Sequence, residues 1–296
     1  MKKSIVVLIS LLILAALFST GCSTVFRTTG VGKITEKTYD FTNFTGIQIS
    51  DALQFVVKQA DSYSVVVSAH ENVFDHLDMH QSGNTLIIGM KFFPYNTSST
   101  TITITMPQLS KLTVSGACDG QATDFDSSND LEINVSGASD LNTDLKAGKT
   151  KLDMSGETKI TGSLTSTDTQ IKLSGDCDLN MILNTDKTVI NAEGSSDIRG
   201  TLQALDCQIT LTGASTCNIS GAAGKTIIAA SGASDFNSSG FTAQTADVKL
   251  TDASDASIRV EKTLDIDISD ASTLNYSGNP TMGTIAVSGA SEINHK

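Results

Sequence analysis

Ser115-Gly116-Ala117-Cys118-Asp119 and Ser136-Gly137-Ala138-Ser139-Asp140 are the first two copies of a short phrase that recurs through the rest of the chain. Ten copies align on their second residue, which we call the anchor, at positions 116, 137, 156, 175, 194, 213, 232, 252, 270 and 289. Successive anchors are separated by 21, 19, 19, 19, 19, 19, 20, 18 and 19 residues. This near-constant spacing predicts a solenoid, in which each repeat stacks on its neighbours.

Apolar and polar residues alternate on both sides of each anchor. The positions four and two residues before the anchor are apolar in every copy, as in Leu112 and Val114. The position four residues after the anchor is apolar in the other nine copies, as in Leu141, although Gly120 stands there in the first. A period of two is typical of a strand with one buried face, and about 19 residues suit one small coil of strands. The sequence therefore predicts an all-β parallel β-helix with about 19 residues per coil.

The anchor is Gly in eight copies and Asp in two, Asp252 and Asp270. Gly and Asp tolerate a positive φ better than most residues, so we expect a tight turn at each anchor. The residue two positions after the anchor is Ser, Thr or Cys in every copy. The period of two places this small side chain inside the coil.

The cysteines fit the same repeat. Cys118 and Cys177 take the place of the inward Ser and lie three coils apart, about 14 Å at the spacing of neighbouring strands. That distance is too long for a disulfide. Cys207 and Cys217 fall within one coil, so a bridge between them is the alternative to two buried thiols.

The N-terminus has the pattern of an export signal. Lys2 and Lys3 precede an apolar run over residues 5–18, which is too short for an ordinary membrane-spanning helix. The small residues before Cys22 resemble the lipobox of prokaryotic lipoproteins. We therefore expect a signal peptide at 1–21, a lipid on Cys22 and a flexible tether over 22–38. The chain would be exported to the cell envelope and anchored in the outer membrane, the periplasm or the cell surface. A cleaved signal with an incidental cysteine is the alternative.

Composition narrows the possible partners. Apolar residues make up 39% of the 296-residue chain and aromatic residues only 5%, so the core must be thin and mainly aliphatic. The formal net charge of −12 argues against nucleic acid, which requires a basic surface. It also disfavours docking of the folded part on anionic lipid.

Residues 39–110 lack the repeated phrase, although they alternate in the same way around Asp51, which aligns with the anchor. We expect the β-helix to span 39–296, with irregular coils over 39–110 and regular repeats over 111–296. Several segments between residues 44 and 117 match the N-terminal part of a known family: Phe44-Thr45-Gly46-Ile47, Asn72 to Leu77, Gly83 to Ile88, Thr103 to Leu109 and Leu112 to Ala117. Together they resemble the head GIN domain family of auto-transporter adhesins. The resemblance implies an exported chain, often a lipoprotein, folded as a right-handed parallel β-helix, and it implies no catalytic residues.

Two outward columns are candidate binding surfaces. Stacked carboxylates three residues after the anchor would suit a hard cation such as Ca²⁺, in the pairs Asp119/Asp140, Asp178/Asp197 and Asp235/Asp255. The alternative is a solvated face of turn-capping residues. Asparagines dominate the position five residues after the anchor: Asn142, Asn180, Asn218, Asn237, Asn275 and Asn294. They could form a ladder of stacked amides that stabilises the coils, or they could bind a sugar.

These observations favour a binding, adhesion or scaffold module in the cell envelope. No cofactor is predicted apart from possible Ca²⁺. Expected partners are the membrane, through the lipid on Cys22, and a glycan or envelope protein. End-to-end or edge self-association through the last coil is a further hypothesis. The chain is predicted not to be an enzyme. The alternatives are a structural envelope protein and a carbohydrate-active β-helix enzyme resembling a polysaccharide lyase, for which Lys159 and Arg199 would supply basic groups.

Overall fold

The computed structural model describes residues 30–91 and 99–296, which are mostly β-strand. The predicted signal peptide and Cys22 lie outside these ranges. The first seven strands are β1 (Ile34–Tyr39), β2 (Gly46–Ile49), β3 (Gln54–Gln59), β4 (Ser64–His70), β5 (Leu77–Ser82), β6 (Thr85–Met90) and β7 (Thr101–Met106). A 3₁₀ helix, Glu71–His76, lies between β4 and β5.

The other strands form the regular repeats. The shorter ones are β8 (Lys111–Val114), β9 (Asp119–Asp126), β10 (Leu131–Gly137), β11 (Asp140–Lys146) and β12 (Lys149–Gly156). The long ones are β13 (Lys159–Gly175), β14 (Asp178–Gly194), β15 (Asp197–Leu211), β16 (Thr216–Ala230), β17 (Asp235–Leu250) and β18 (Asp255–Ile268). The last coil and its neighbour contain β19 (Thr273–Ser277), β20 (Thr281–Val287) and β21 (Glu292–His295).

Successive repeats lie directly over one another. Asp178 pairs in parallel with Lys159 of the preceding coil and with Asp197 of the following coil, an offset of one repeat in each direction. The apolar columns on both sides of the anchor turn inward, and Ile171, Leu173 and Leu179 are at most 1% exposed. The prediction of an all-β, right-handed parallel β-helix is confirmed, with about ten turns of about 19 residues.

The anchor turns have the predicted positive φ. Gly137 has a φ of +87°, and a Cβ added there would lie 2.2 Å from the Gly116 carbonyl oxygen of the preceding coil. Asp252 and Asp270 have φ values of 59° and 61°, and the alanine after each is also left-handed. The aspartate turns therefore have a different shape from the glycine turns. Asp51, aligned with the anchors from sequence, has a φ of 76°.

The small residue after each turn is buried in all coils except the last, as predicted. Ser139 is 0% exposed, and its hydroxyl donates to the Ser136 carbonyl at 3.2 Å, which closes the turn. Cys118 takes the same place, with its Sγ 3.3 Å from the Ser115 carbonyl oxygen.

The four cysteines of the described ranges are free, so the alternative of a Cys207–Cys217 bridge is wrong. Both are buried thiols in the core, at 3% and 0% exposure. Burial raises the pKa of Cys118 to about 11 and that of Cys207 to about 12. These thiols therefore stay protonated and poorly reactive near neutral pH.

The N-terminal end is closed by antiparallel strands. β2 pairs in parallel with β8 on one edge and with β6 on the other. β6 therefore forms an outer layer over the first coil, although it comes later in the chain. On the outside of that layer, β5 pairs with β6 and β4 pairs with β7, both antiparallel. The tether predicted over 22–38 is wrong at its end, because β1 pairs with the open edge of β4. Among residues 30–91 and 99–296, no helix is long and apolar enough to cross a membrane.

Candidate functional site

The strand that follows each anchor turn presents the two predicted columns to solvent. We call them the acidic column, three residues after the anchor, and the Asn column, five residues after it. Asp140 pairs with Asp119 and with Lys159, which places their side chains in one file along the solenoid. The apolar residue between the two columns, such as Leu141 at 2% exposure, points into the core. Alternation along the strand therefore directs both columns outward.

The three carboxylate pairs of the acidic column differ in their surroundings. Arg199 lies against both members of the middle pair, with Nη1 3.7 Å from Asp178 Oδ1 and Nη2 in contact with Asp197 Oδ2. Lys159 Nζ is also 3.9 Å from Asp178 Oδ2. The chain itself therefore places two basic side chains beside this pair.

The Asn column does not form the predicted ladder of amides. Thr161, Arg199 and Ser257 interrupt it. Within the described ranges, the one hydrogen bond made by its asparagine side chains joins Asn142 Nδ2 to Thr161 Oγ1 at 3.2 Å. Most of these amides therefore keep their donors and acceptors available to a ligand.

The two columns meet in one depression near the last coils. It has a volume of about 360 Å³, and its lining includes Asp235, Asp255, Asn218, Asn237, Asn275 and Lys296. We call this depression the Asp/Asn pocket. Asp235 and Asp255 are direct neighbours in register. The pocket therefore combines two carboxylates, three amides and one ammonium group within a few coils.

A metal could use only part of this pocket. Across the ranges that the structure describes, no group of three or more His, Cys, Asp and Glu side chains could hold an ion. Asp235 and Asp255 supply two carboxylates, and the neighbouring asparagine amides could add the oxygen ligands that Ca²⁺ accepts. Asp119 and Asp140 are likewise paired in register. For these two pairs, Ca²⁺ binding stays a prediction.

A larger depression was missed by the sequence reasoning. It follows the corner after the Asn column over four coils, with a volume of about 560 Å³. Its lining includes Lys146, Asn184, Asp186, Gln203 and Leu205. These residue types vary from coil to coil, so no repeated letter marks the corner, although counting nine to eleven residues from each anchor would have found it.

A column of alternating charge was also missed. Twelve residues after successive anchors, the paired positions are Lys149, Asp168, Lys187, Asp206 and Lys225. Opposite charges alternate from coil to coil, which favours stacking in this register. In the next outward column of the same strands, hydrogen bonds from Asn134 and then Lys111 lower the pKa of Glu132.

Solved structures resemble the whole solenoid. A putative adhesin from Parabacteroides merdae shares 17% identity with a TM-score of 0.54, over 91% of this chain and 99% of its own. A putative adhesin from Parabacteroides distasonis shares 15% identity with a TM-score of 0.55, over 91% and 100%. A putative lipid binding protein from the same species shares 19% identity with a TM-score of 0.51, over 91% and 99%.

At these identities the likeness concerns the fold. No curated protein matches the chain. The family model described as "Putative auto-transporter adhesin, head GIN domain" matches residues 43–182 and 169–280. Since these matches cover most of the sequence, the chain belongs to the head GIN domain family.

Proposed function

We propose that this chain is an exported, lipid-anchored binding module that recognises glycan through the Asp/Asn pocket. Membership in a family described as adhesins supports a binding or adhesion role in the envelope. The basic start, the short apolar run and the small residues before Cys22 support export and acylation. A multiply acylated cysteine would hold the solenoid stably at a membrane surface.

The anchor can be tested by replacing one atom. Cys22→Ser is expected to move the protein from the membrane fraction to the soluble fraction, because the acylated thiol is lost. Cys207→Ser is the matched control, because Cys207 is buried in the solenoid. This variant should stay in the membrane fraction. Fractionation followed by immunoblotting measures both. A Cys22→Ser protein that stays in the membrane fraction would contradict lipid anchoring.

The Asp/Asn pocket is the observation that carries the ligand proposal. Its carboxylates and amides are the groups that pair with sugar hydroxyls, because each offers two adjacent hydrogen-bonding atoms. Asp235 and Asp255 would accept hydrogen bonds from hydroxyls, and Asn218 and Asn237 would both donate and accept. The net charge of −12 favours an uncharged glycan or one that carries amino groups over an anionic polymer.

Ca²⁺ gives the pocket a second way to hold the same ligand. A calcium ion on Asp235 and Asp255 would leave coordination positions open to vicinal hydroxyls of a sugar. The enzyme alternative has less support. Lys159 and Arg199, the basic groups that it would need, already contact Asp178.

The double substitution Asp235→Asn and Asp255→Asn tests the pocket. It removes two charged acceptors while keeping the side-chain shape, and hydrogen bonds to a charged group contribute about 1.5–3 kcal/mol each. Affinity for the glycans that the wild-type protein selects on an array should fall at least tenfold, roughly the lower end of that range. Calorimetry on the selected glycan gives the value.

Asp119→Asn with Asp140→Asn is the control, because this pair lies in the same column outside the Asp/Asn pocket. It should bind like the wild-type protein. Glycan binding lost on adding EDTA would assign the contact to Ca²⁺, and binding that survives EDTA would assign it to direct hydrogen bonds. An array without any bound glycan, or equal loss in both double variants, would reject the proposal.

A further inference from the structure

The last coil exposes residues that every earlier coil buries. Ile285 is 52% exposed and Val287 is 47% exposed, whereas Ile266 and Ile268, their register partners in the preceding coil, are each 1% exposed. Ile293 is likewise part-exposed, while its partner Leu274 is buried. The apolar core of the solenoid is therefore open at this end.

The same end also has open strand edges. Among the described strands, β20 pairs only with β18 and β21 pairs only with β19. β20 has the sequence Thr-Met-Gly-Thr-Ile-Ala-Val, which contains no charged residue and no proline. An exposed apolar edge without charges is a template for pairing with another strand.

The opposite end of the solenoid is protected. The outermost strands there, β1 and β5, are antiparallel additions that close the parallel stack. Charged residues lie on both of them, with Glu36 and Lys37 on β1 and Asp78 on β5. At the other end, β20 carries no such charge, so this strand lacks the safeguard against edge pairing that charges provide on β1 and β5.

Charge also favours a meeting between two copies at the open end. The chain has a formal net charge of −12, so its long sides repel each other. In residues 279–296 the formally charged side chains are Glu292 and Lys296, which cancel. Two last coils can therefore approach each other with little repulsion, and a two-fold axis would place Glu292 and Lys296 of each copy on one shared face.

We propose that the last coil pairs with the last coil of a second copy, so that two solenoids join tail to tail. β20 of one copy would lie antiparallel to β20 of the other, and the two sets of Ile285 and Val287 would cover each other. About ten coils, stacked at about 4.8 Å, separate this end from the N-terminal end by about 48 Å.

Tail-to-tail pairing has a consequence for adhesion, which rests on the proposed lipid anchor at Cys22. With Cys22 in a membrane, the open coil faces away from it, and pairing links solenoids on opposed membranes. The end of one coil offers a small contact area, so a single pair should be weak. Many pairs between two membranes would act together and hold them firmly.

Lipid vesicles test this pairing without any glycan and without acylation in the cell. The chain from Cys22 onward contains every described residue, and its four other cysteines are buried. Cys22 can therefore be coupled to a maleimide lipid in phosphatidylcholine vesicles. Wild-type vesicles are expected to cluster, as measured by turbidity and electron microscopy, and the uncoupled protein should dimerise weakly in analytical ultracentrifugation.

The double variant Ile285→Lys and Val287→Lys should abolish clustering, because it places charges on the pairing edge. Ile182→Lys is the matched control, since Ile182 is also 52% exposed but lies on the side of the solenoid. It should cluster like the wild-type protein. Circular dichroism and thermal unfolding establish that each variant is folded.

Mixing experiments decide between like-with-like pairing and other causes. Vesicles that carry the double variant should remain separate from wild-type vesicles. Wild-type vesicles that stay dispersed, or folded double-variant vesicles that cluster equally well, would overturn the proposal. Failure of glycan binding would leave this result unchanged, because the vesicles contain no glycan.

Discussion

Gly137→Ala is expected to lower the free energy of unfolding by about 2–5 kcal/mol. Gly137 has a φ of +87°, a conformation that costs an L-residue about 1–2 kcal/mol. The new Cβ would also lie 2.2 Å from the Gly116 carbonyl oxygen, so the two coils must move apart at this point. Forced displacement in a packed region adds about 1–3 kcal/mol. Urea denaturation followed by circular dichroism measures the change.

Gly240→Ala is the control for this substitution. A Cβ at Gly240 would be 3.5 Å from its nearest neighbour, Ser220 Cβ, which is an ordinary contact, and its φ is not left-handed. We expect a change within about 0.5 kcal/mol, as for most surface substitutions. If both substitutions had the same effect, close backbone stacking at the anchor would not explain the repeated shape of the glycine turns.

The regular coils could be predicted from sequence because each column is a repeated observation. An inward position such as Ser139 is recognisable once nine other copies place a small residue there. The N-terminal end could not be predicted in this way. β6 is parallel to β2 while β5 is antiparallel to β6, and nothing in the local alternation of residues 77–90 distinguishes these two partners.

The candidate site was predicted in part for a similar reason. Counting from the anchors placed Asp235 and Asp255 in one file, and the structure confirms this register. The depth of the Asp/Asn pocket could not be predicted by counting residues from the anchors. Here the anchor spacing changes to 20 and then 18 residues, and the pairing of β17 with its neighbours shifts within the coil. For Arg199, the repeat predicts the column in which it stands, but only the structure shows its contacts with Asp178 and Asp197.

Side-chain size in the core is matched between coils, and Phe236 shows this most clearly. It stands in register with Cys217 on one side and Ala256 on the other, two small residues in a column whose other members, apart from Gly120, are Leu and Ile. Phe236 is 0% exposed, and its ring meets Phe241 edge to face at 6.5 Å. The small neighbours therefore leave the space that the ring occupies. Near the N-terminal end, the ring of Phe55 lies over Gly120 in the same way.

Phe236→Ala should lower the free energy of unfolding by about 3–5 kcal/mol, because it leaves a cavity between two coils. Ala256→Leu alone should cost about 1–3 kcal/mol, since its side chain would meet the Phe236 ring. In the double variant the leucine can fill the cavity. The loss of unfolding free energy in the double variant should therefore be smaller than the sum of the two single losses by about 0.5–3 kcal/mol. Urea denaturation of the wild type, the two single variants and the double variant gives this coupling. Ile182→Ala, at an exposed site, is the control and should stay within about 0.5 kcal/mol of wild type. If Phe236 and Ala256 share one space, each substitution must change the effect of the other. Strictly additive losses would contradict this and would show that the two coils adjust independently.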